Sequence, residues 1–439
     1  MRITVLAAFI AFALSAQQQP VTQNNALPSA DELNRELPHW VRFSGEYRTR
    51  VEGFTGGGYR DANNDTWLLS RIRINMKVQP LSWLKFQFQG QDARVFWKNQ
   101  KPAAPPYQNT MDLRLACMEI GDAEKGGIAL RAGRQELLFG EQRLVGNVNW
   151  LNTARTFDAV RLAMRHNGYR LDAFASSVVQ PVDGEFDRPF RTKADNFHGL
   201  YGGIERLIPK ALVEPYLFWR VTRNVATETG GHGNRDFKTA GVRWVGKLPL
   251  GFDYGTEMAK QTGSVASDSI GAWGGHWVLG YTPSSKRVAS RLFAEYNFAS
   301  GDRNPRDGQR GTFDQLYPTG HDKIGLADQV GWRNIHDLRG GVEMKPRNKW
   351  LITSSYHSFW LASATDALYA ANGLAVARVA DGSAGRRVGQ EADISTMYTV
   401  NKQVQVGAGF AHLFPGAFLK RATPGHGYNS PYLMLIYGF

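Results

Sequence analysis

Between Val41 and Phe54 the chain reads VRFSGEYRTRVEGF, and its residues sort by twos. Val41, Phe43, Gly45, Tyr47, Thr49 and Val51 take one set of alternate positions; Arg42, Ser44, Glu46, Arg48, Arg50 and Glu52 take the other. A repeat of two is that of a β-strand with unlike surroundings on its two faces. The pattern returns between Leu68 and Gln79, where Ser70, Ile72, Ile74, Met76 and Val78 alternate with Arg71, Arg73, Asn75, Lys77 and Gln79. It returns again over 84–93, with Leu84, Phe86 and Phe88 set against Lys85, Gln87, Gln89 and Gln91. It predicts further strands near 111–120, 127–136, 157–166, 169–180, 197–206, 212–223, 236–246, 250–261, 270–281, 288–299, 335–346, 350–361, 388–400, 403–413 and 430–439, eighteen with the first three.

The connections between these strands alternate in length. Short linkers such as QPLSW, GDAEKG, HNG, RLIPKA, GKLP, TPSSK, PRNK and VNKQ interleave with long ones, among them 53–65, 97–110, 140–156, 181–196, 300–334, 361–387 and 415–429. A chain that turns tightly at one end and loosely at the other has the organisation of an outer-membrane barrel, with short periplasmic turns and long extracellular loops. The expected fold class is all-β: a single transmembrane antiparallel up-and-down β-barrel of about eighteen strands. Only a closed sheet satisfies every backbone N–H and C=O within hydrocarbon. At that strand number the interior is expected to hold an aqueous channel rather than a packed core. The charged face of VRFSGEYRTRVEGF then looks at water enclosed by the ring. The final strand, YNSPYLMLIYGF, places Leu433, Leu435, Tyr437 and Phe439 on one face, and the terminal Phe439 is expected to address the chain to barrel-insertion machinery.

The start of the 439-residue chain predicts export: Met1-Arg2, an apolar run from Val5 to Leu14 and the small residues of ALSAQQQ read as a secretory signal over 1–16. Residues 17–39 are expected to form an N-terminal periplasmic segment, with a short helix in SADELNREL capped by Ser29 with Glu32 three residues on, and 40–439 the barrel. The single cysteine, Cys117, excludes an intramolecular disulfide. No later stretch approaches the ~20 apolar residues of a membrane helix. A mean hydropathy of −0.37 is compatible with a barrel whose strands average lipid-facing and lumen-facing residues.

The formal charge of +13 with 12% aromatic residues changes the picture further. Basic plus aromatic describes a nucleic-acid binder or an aromatic girdle around a basic pore, and the organisation of the chain favours the pore. Arg48, Arg50, Arg71, Arg73, Arg114, Arg131, Arg161 and Arg339 fall opposite the apolar positions of their strands. An arginine facing lipid near the midplane costs ~2–4 kcal/mol, so the lumen is the expected place. Guanidinium groups around a narrow bore concentrate anions and repel cations. Roughly half of these arginines are expected to be neutralised by carboxylates such as Glu46, Glu52, Asp172, Glu295 and Asp393, because enclosed charges tend to pair.

Two long loops carry the remaining candidate chemistry. GRQELLFGEQRLVGNVNWLNTARTFDAVRL, residues 133–162, holds Arg143, Trp150 and Arg155 in a loop long enough either to fold into the bore or to stay on the surface. The loop at 300–334 carries Asp302, Asp307, Asp314, Asp322 and Asp328 without EF-hand spacing, so no metal is expected there, and His321 and His336 read as loop histidines. No G-x-S-x-G, H-E-x-x-H or phosphate-binding glycine loop is present. No cofactor and no catalytic activity are expected; a barrel hydrolase is the remotest alternative.

The segments GRQELLFGEQRLVG…W…R.FDAVRL, EYNFASGDRNPRDGQRGTFDQLYPTGHDKIGLADQVGWRNIHDLRGG, YHSFWLASATDALY and FAHLFPGAFLKR…SPYLMLIYGF resemble the alginate-export (AlgE-like) outer-membrane barrels, over most of the chain. The resemblance implies an eighteen-stranded barrel with an electropositive constriction that passes an acidic polysaccharide outward. It implies lumen positions for Arg134, Arg143 and Arg161, and for Arg48, Arg50, Arg71 and Arg73. The reading that results is a passive anion channel for a polyuronate or related acidic polymer; the alternative is a general uptake porin preferring small anions. The implied partners are the anionic cargo, outer-membrane lipid and, for polymer export, periplasmic export components; no nucleic acid is expected, and a single wide barrel is expected to act as a monomer.

Overall fold

The computed structural model describes residues 29–100, 103–124, 126–189, 194–227, 230–284 and 288–439. The predicted signal over 1–16 lies outside the described residues. A seven-residue helix, α1 (Ala30–Glu36), opens the described chain, with Ser29 Oγ accepting from Asp31 N at 3.2 Å. Asn34 then ties it to the first strand, donating to Phe43 O at 2.7 Å and accepting from Phe43 N at 2.8 Å.

Eighteen long strands follow. They are β1 (Val41–Phe54), β2 (Asp65–Leu81), β3 (Leu84–Phe96), β4 (Asn109–Gly121), β5 (Ile128–Gln135), β6 (Phe157–His166), β7 (Tyr169–Gln180), β8 (Asp195–Ile204) and β9 (Ala211–Ala226). The second half comprises β10 (His232–Lys247), β11 (Phe252–Val265), β12 (Asp268–Tyr281), β13 (Ala289–Ala299), β14 (Ile335–Lys345), β15 (Trp350–Leu361), β16 (Arg387–Thr399), β17 (Val404–Pro415) and β18 (Tyr428–Gly438). Each pairs antiparallel with its successor, and β18 pairs antiparallel with β1, with Tyr437 opposite Tyr47 and Leu433 opposite Val51. The ring is closed, so no edge strand is left.

The closure is built from two residue choices. Phe439 N donates to Gly45 O at 3.0 Å and Gly45 N to Phe439 O at 2.6 Å. A Cβ on Gly45 would lie 2.2 Å from the Phe439 ring, so glycine there makes the seat for the terminal aromatic. The tight hairpins use turn chemistry equally local: Asn167 and Gly168, joining β6 to β7, both have positive φ (48° and 81°), the conformation that matches hairpin twist.

The outward positions form an apolar band that includes Ile72, Ile74, Leu130, Val160, Leu200, Leu292, Leu338 and Ile394, all exposed. Aromatic pairs flank it: Trp350 with Tyr398 and Phe252 with Tyr281 near the short-turn rim, Trp273 with Phe298 towards the long-loop rim. Among the described residues no helix is long and apolar enough to cross a membrane; the crossing is made by strands. Two connections at the long-loop end are short, 227–231 and 266–267, against the strict alternation expected.

The interior departs from the expectation of water alone. The 136–156 loop and the 300–334 loop both turn into the bore and meet: Gly146 N donates to Tyr317 O at 2.9 Å, Tyr317 N to Leu144 O at 2.8 Å and Thr319 N to Gln142 O at 2.9 Å. Leu137, Phe139, Leu144 and Val145 pack with Phe157, Phe174, Phe197, Tyr201 and Phe218 of β6 to β9 in one buried cluster that also includes Phe313 and Tyr317. The inward faces of those strands are aromatic because a loop, not water, covers them. Part of the lumen is therefore a packed core, and the polar passage is confined to the remainder.

Candidate functional site

The densest charge lies on the inner face of β1, β2 and β4. Arg48 stands directly across from Arg71, and Glu46 across from Arg73. Like charges in facing positions repel, so this pairing needs compensation from elsewhere. Arg48, Arg50, Arg71, Arg73 and Arg114 are nevertheless 4, 2, 0, 6 and 3% exposed. What covers them is the in-folded loop. Arg48 Nη1 donates to Asn149 O at 2.8 Å, and its Nη2 to Trp150 O at 3.1 Å and Leu151 O at 3.2 Å. Arg50 Nη1 donates to Trp150 O at 2.8 Å, and its guanidinium lies 3.6 Å over the Trp150 ring. Arg71 reaches Asn149 O and Leu151 O, both at 3.2 Å. Arg73 Nη1 donates to Asn149 Oδ1 and Nε to Gln91 Oε1, both at 2.7 Å.

Counter-charge is uneven along this wall. Glu52 pairs with Arg50 at 2.7 Å, Glu46 with Arg71 at 2.5 Å, and Glu136 with Arg114. Among the described residues Arg48 and Arg73 have no carboxylate partner, and Arg73 Nη2 has no hydrogen-bond partner. Of the eight strand arginines anticipated in the lumen, six pair with an acid: Arg50, Arg71, Arg114, Arg131, Arg161 and Arg339. Neutralisation thus exceeds the expected half, and the surplus positive charge is concentrated at Arg48 and Arg73.

The other anticipated residues sort by geometry. Arg143 sits inside the bore, paired to Glu295 at 2.9 Å, and Arg339 reaches the same Glu295 at 3.3 Å. Arg161 faces inward onto Asp172 at 2.8 Å, 5.6 Å from the Phe139 ring. Glu141 joins this group through Arg243 at 2.9 Å; burial opposes its ionisation, but Arg143 and Arg243 prevail and hold its carboxyl at about 2. Arg134 is a correction. It lies across from outward-facing Asp158, bound to it at 2.8 Å, in the alternation of exposed Ile128, Leu130 and Val160. Three residues on from inward Arg131, it takes the opposite face, as a period of two requires. The aspartates of the 300–334 loop do not converge: Asp314 binds Arg220 and Arg235, Asp302 accepts from Asn304 N and Gly311 N, and Asp328 faces His321.

Three further residues build the site: Asn152, which sequence reasoning did not single out, and Arg155 and His321, which it named only as loop residues. Asn152 donates through its amide to Ser70 O, Arg94 O and Tyr107 O at 3.3, 3.2 and 2.9 Å, pinning the loop to the wall. Arg155 holds the two loops together through Gly146 O and Pro318 O, both at 3.1 Å; burial lowers its guanidinium only to about 10, so it stays charged at neutral pH. His321 stacks on Trp150 with centroids 3.8 Å apart. Beside these residues lies a cavity of about 400 Å³ whose lining includes Phe54, Trp67, Tyr107, Tyr428, Trp150 and His321.

A closed ring with a lipid-compatible outer band, aromatic rims and a polar inner passage defines a channel-forming β-barrel of the bacterial outer membrane. Its solved structural relatives agree. OpdQ of Pseudomonas aeruginosa superposes with a TM-score of 0.61 at 11% identity, covering 92% of this chain and 99% of its own. OpdO of the same organism gives 0.60 at 14% identity, covering 92% and 99%. OpdK solved with vanillate gives 0.59 at 11%, covering 90% and 98%. At such identities the likeness is one of fold. No curated protein matches the sequence. The alginate export family matches residues 39–432, and the chain belongs to it.

Proposed function

We propose that the barrel passively conducts organic anions across the outer membrane, with an acidic polysaccharide of the alginate or polyuronate type as its cargo, moving outward. The observation that carries this reading is the pair Arg48 and Arg73, held at the bore with no carboxylate partner among the described residues. Enclosed guanidinium groups in surplus attract anions and exclude cations. Several such groups in series give a polyanion successive weak sites, which conduction needs more than one tight site. Family membership supports the polymer as cargo. The reversal potential of the purified protein in a planar bilayer under a salt gradient tests the charge selectivity, and added polyuronate tests the cargo. Cation preference would reject the proposal.

A second reading is favoured by the in-folded loops. They leave a compartment of about 400 Å³ on the outer side, the size of a small-molecule site. An uptake channel for small organic anions fits that space. Current blocked by a monomeric acid but indifferent to the polymer would select it.

A further inference from the structure

The segment that covers the arginine wall has the form of a ligand. Trp150 presents a flat ring and, on its own backbone, a carbonyl oxygen. The ring lies between two partners, the Arg50 guanidinium at 3.6 Å and the His321 imidazole at 3.8 Å. Its carbonyl oxygen accepts from Arg50 at 2.8 Å and from Arg48 at 3.1 Å. The Asn149 and Leu151 carbonyls and the Asn149 amide oxygen take further donors of Arg48, Arg71 and Arg73. The shapes match, but the charges do not. Every acceptor the segment supplies is neutral, while Arg48 and Arg73 have no carboxylate among the described residues and Arg73 Nη2 has no hydrogen-bond partner. A hydrogen bond to an ionised acceptor is roughly twice as strong as one to a neutral acceptor, and an enclosed charge without its opposite is costly.

We infer that this wall is a binding site for a ring-bearing carboxylate, and that Asn149–Leu151 fills it as a stand-in until such an anion displaces the segment. The inference rests on the anion-channel reading and names its ligand and its gate. The ring of the ligand takes the place of the indole between Arg50 and His321; its carboxylate takes the place of the carbonyls before Arg48 and Arg73. The displaced stretch is short. Val148 N is fixed to Thr319 Oγ1 at 3.0 Å, and Asn152 is fixed to the Ser70, Arg94 and Tyr107 carbonyls, so Asn149, Trp150 and Leu151 between them can move without disturbing the sheet. The cavity beside Trp150, rimmed by Phe54, Trp67, Tyr107 and Tyr428, receives the indole when it leaves. An aryl acid and a hexuronic acid share the required chemistry, a six-membered ring carrying a carboxylate.

The test uses the full chain in planar bilayers and reads the concentration at which benzoate, glucuronate, acetate or glucose half-blocks the current. Trp150→Ala removes the ring of the stand-in and leaves only its neutral carbonyls to be displaced, so both ring acids are expected to block at a concentration lower by about threefold or more, since the competing conformation is weakened. Acetate and glucose are expected to be little changed, and Trp150→Phe to behave as the parent. Benzoate blocking better than glucuronate assigns the aryl class, and the reverse the sugar acid. Weaker block of ring acids in Trp150→Ala makes the indole a surface on which the ligand stacks and overturns the inference, as does an unchanged block. If Trp150→Ala fails to insert, Leu151→Cys on a Cys117→Ala background is labelled with a membrane-impermeant thiol reagent. Labelling accelerated by a ring acid supports the inference; labelling unaffected by a saturating ring acid, with anion preference intact, overturns it alone. Loss of anion preference in the parent would instead defeat the underlying channel reading.

Discussion

Arg73→Gln is the most direct probe of the basic wall. The side chain is 6% exposed, meets only the neutral Gln91 and Asn149 side chains, and lies across from Glu46. Its charge is therefore uncancelled by direct contact. A unit charge acting on an ion ~6 Å away through a medium of effective dielectric ~40, between protein and water, contributes about 1.4 kcal/mol. At 0.1 M salt the Debye length is ~10 Å, which leaves roughly half of that. The surviving energy of ~0.7 kcal/mol favours an anion and disfavours a cation alike, a difference of about 1.4 kcal/mol, which corresponds to a factor of about ten in the anion-to-cation permeability ratio. Arg73→Glu changes the local charge by two units and squares the effect to about a hundredfold, while Arg73→Lys retains the preference. Reversal potentials in a potassium chloride gradient measure all three. Arg134→Gln is the matched control: its guanidinium is outside the ring on Asp158 and its loss is expected to leave the ratio alone. A correctly inserted Arg73→Gln channel with an unaltered reversal potential would refute the reasoning, as would an Arg134→Gln channel that shifted as far.

Three further outcomes follow from contacts elsewhere. Gly45→Leu fills the seat of the Phe439 ring and is expected to cost about 1–3 kcal/mol by overpacking, read as an earlier heat-modifiability midpoint on gels; a parental midpoint would contradict the closure described. Asn152→Ala leaves two wall carbonyls and that of Tyr107 without their amide donor and is expected to cost about 1–3 kcal/mol of loop anchoring, seen as faster protease cleavage within 147–155 with the strands still protected. The outer loop at 181–189 docks on β4 through Asp187, whose carboxyl burial and the neighbouring Asp112 push up to about 7. Its proton is held in the docked state and released in the free one between pH 4 and 7, so docking is strongest below that window and weakens as pH rises through it. Hydrogen exchange of the loop at pH 5 and pH 8 should show the difference, and Asp187→Asn should abolish it.

The barrel was legible because its information is local. Every two-faced segment from Val41 to Phe439 reports its own strand, and eighteen were found within a few residues of their places. The inward direction of Arg48, Arg50, Arg71 and Arg73 was legible for the same reason, since parity fixes the face. What parity could not show was cover. Phe157, Phe174, Phe197 and Phe218 face inward, where alternation with exposed Val160 and Leu217 would have assigned polar residues, because Leu137, Phe139 and Leu144 come to them from a loop distant in sequence. Trp150 over Arg50 joins positions 100 residues apart and leaves no periodic trace. Arg134 was misplaced because a likeness between segments does not carry the face of each residue, whereas counting three steps from Arg131 does.

The backbone bonds between Gln142–Gly146 and Tyr317–Thr319 make a crossbeam hung from two distant parts of the cylinder. Neither loop can swing alone, so the aperture is braced against the fluctuations that would otherwise appear as electrical flicker. Val148 N is still tied to Thr319 Oγ1 at 3.0 Å, and only the brief span from Asn149 to Leu151 lies beyond the brace. New cargo preferences can thus arise by exchanging a handful of side chains there, with the membrane-crossing wall left as it is.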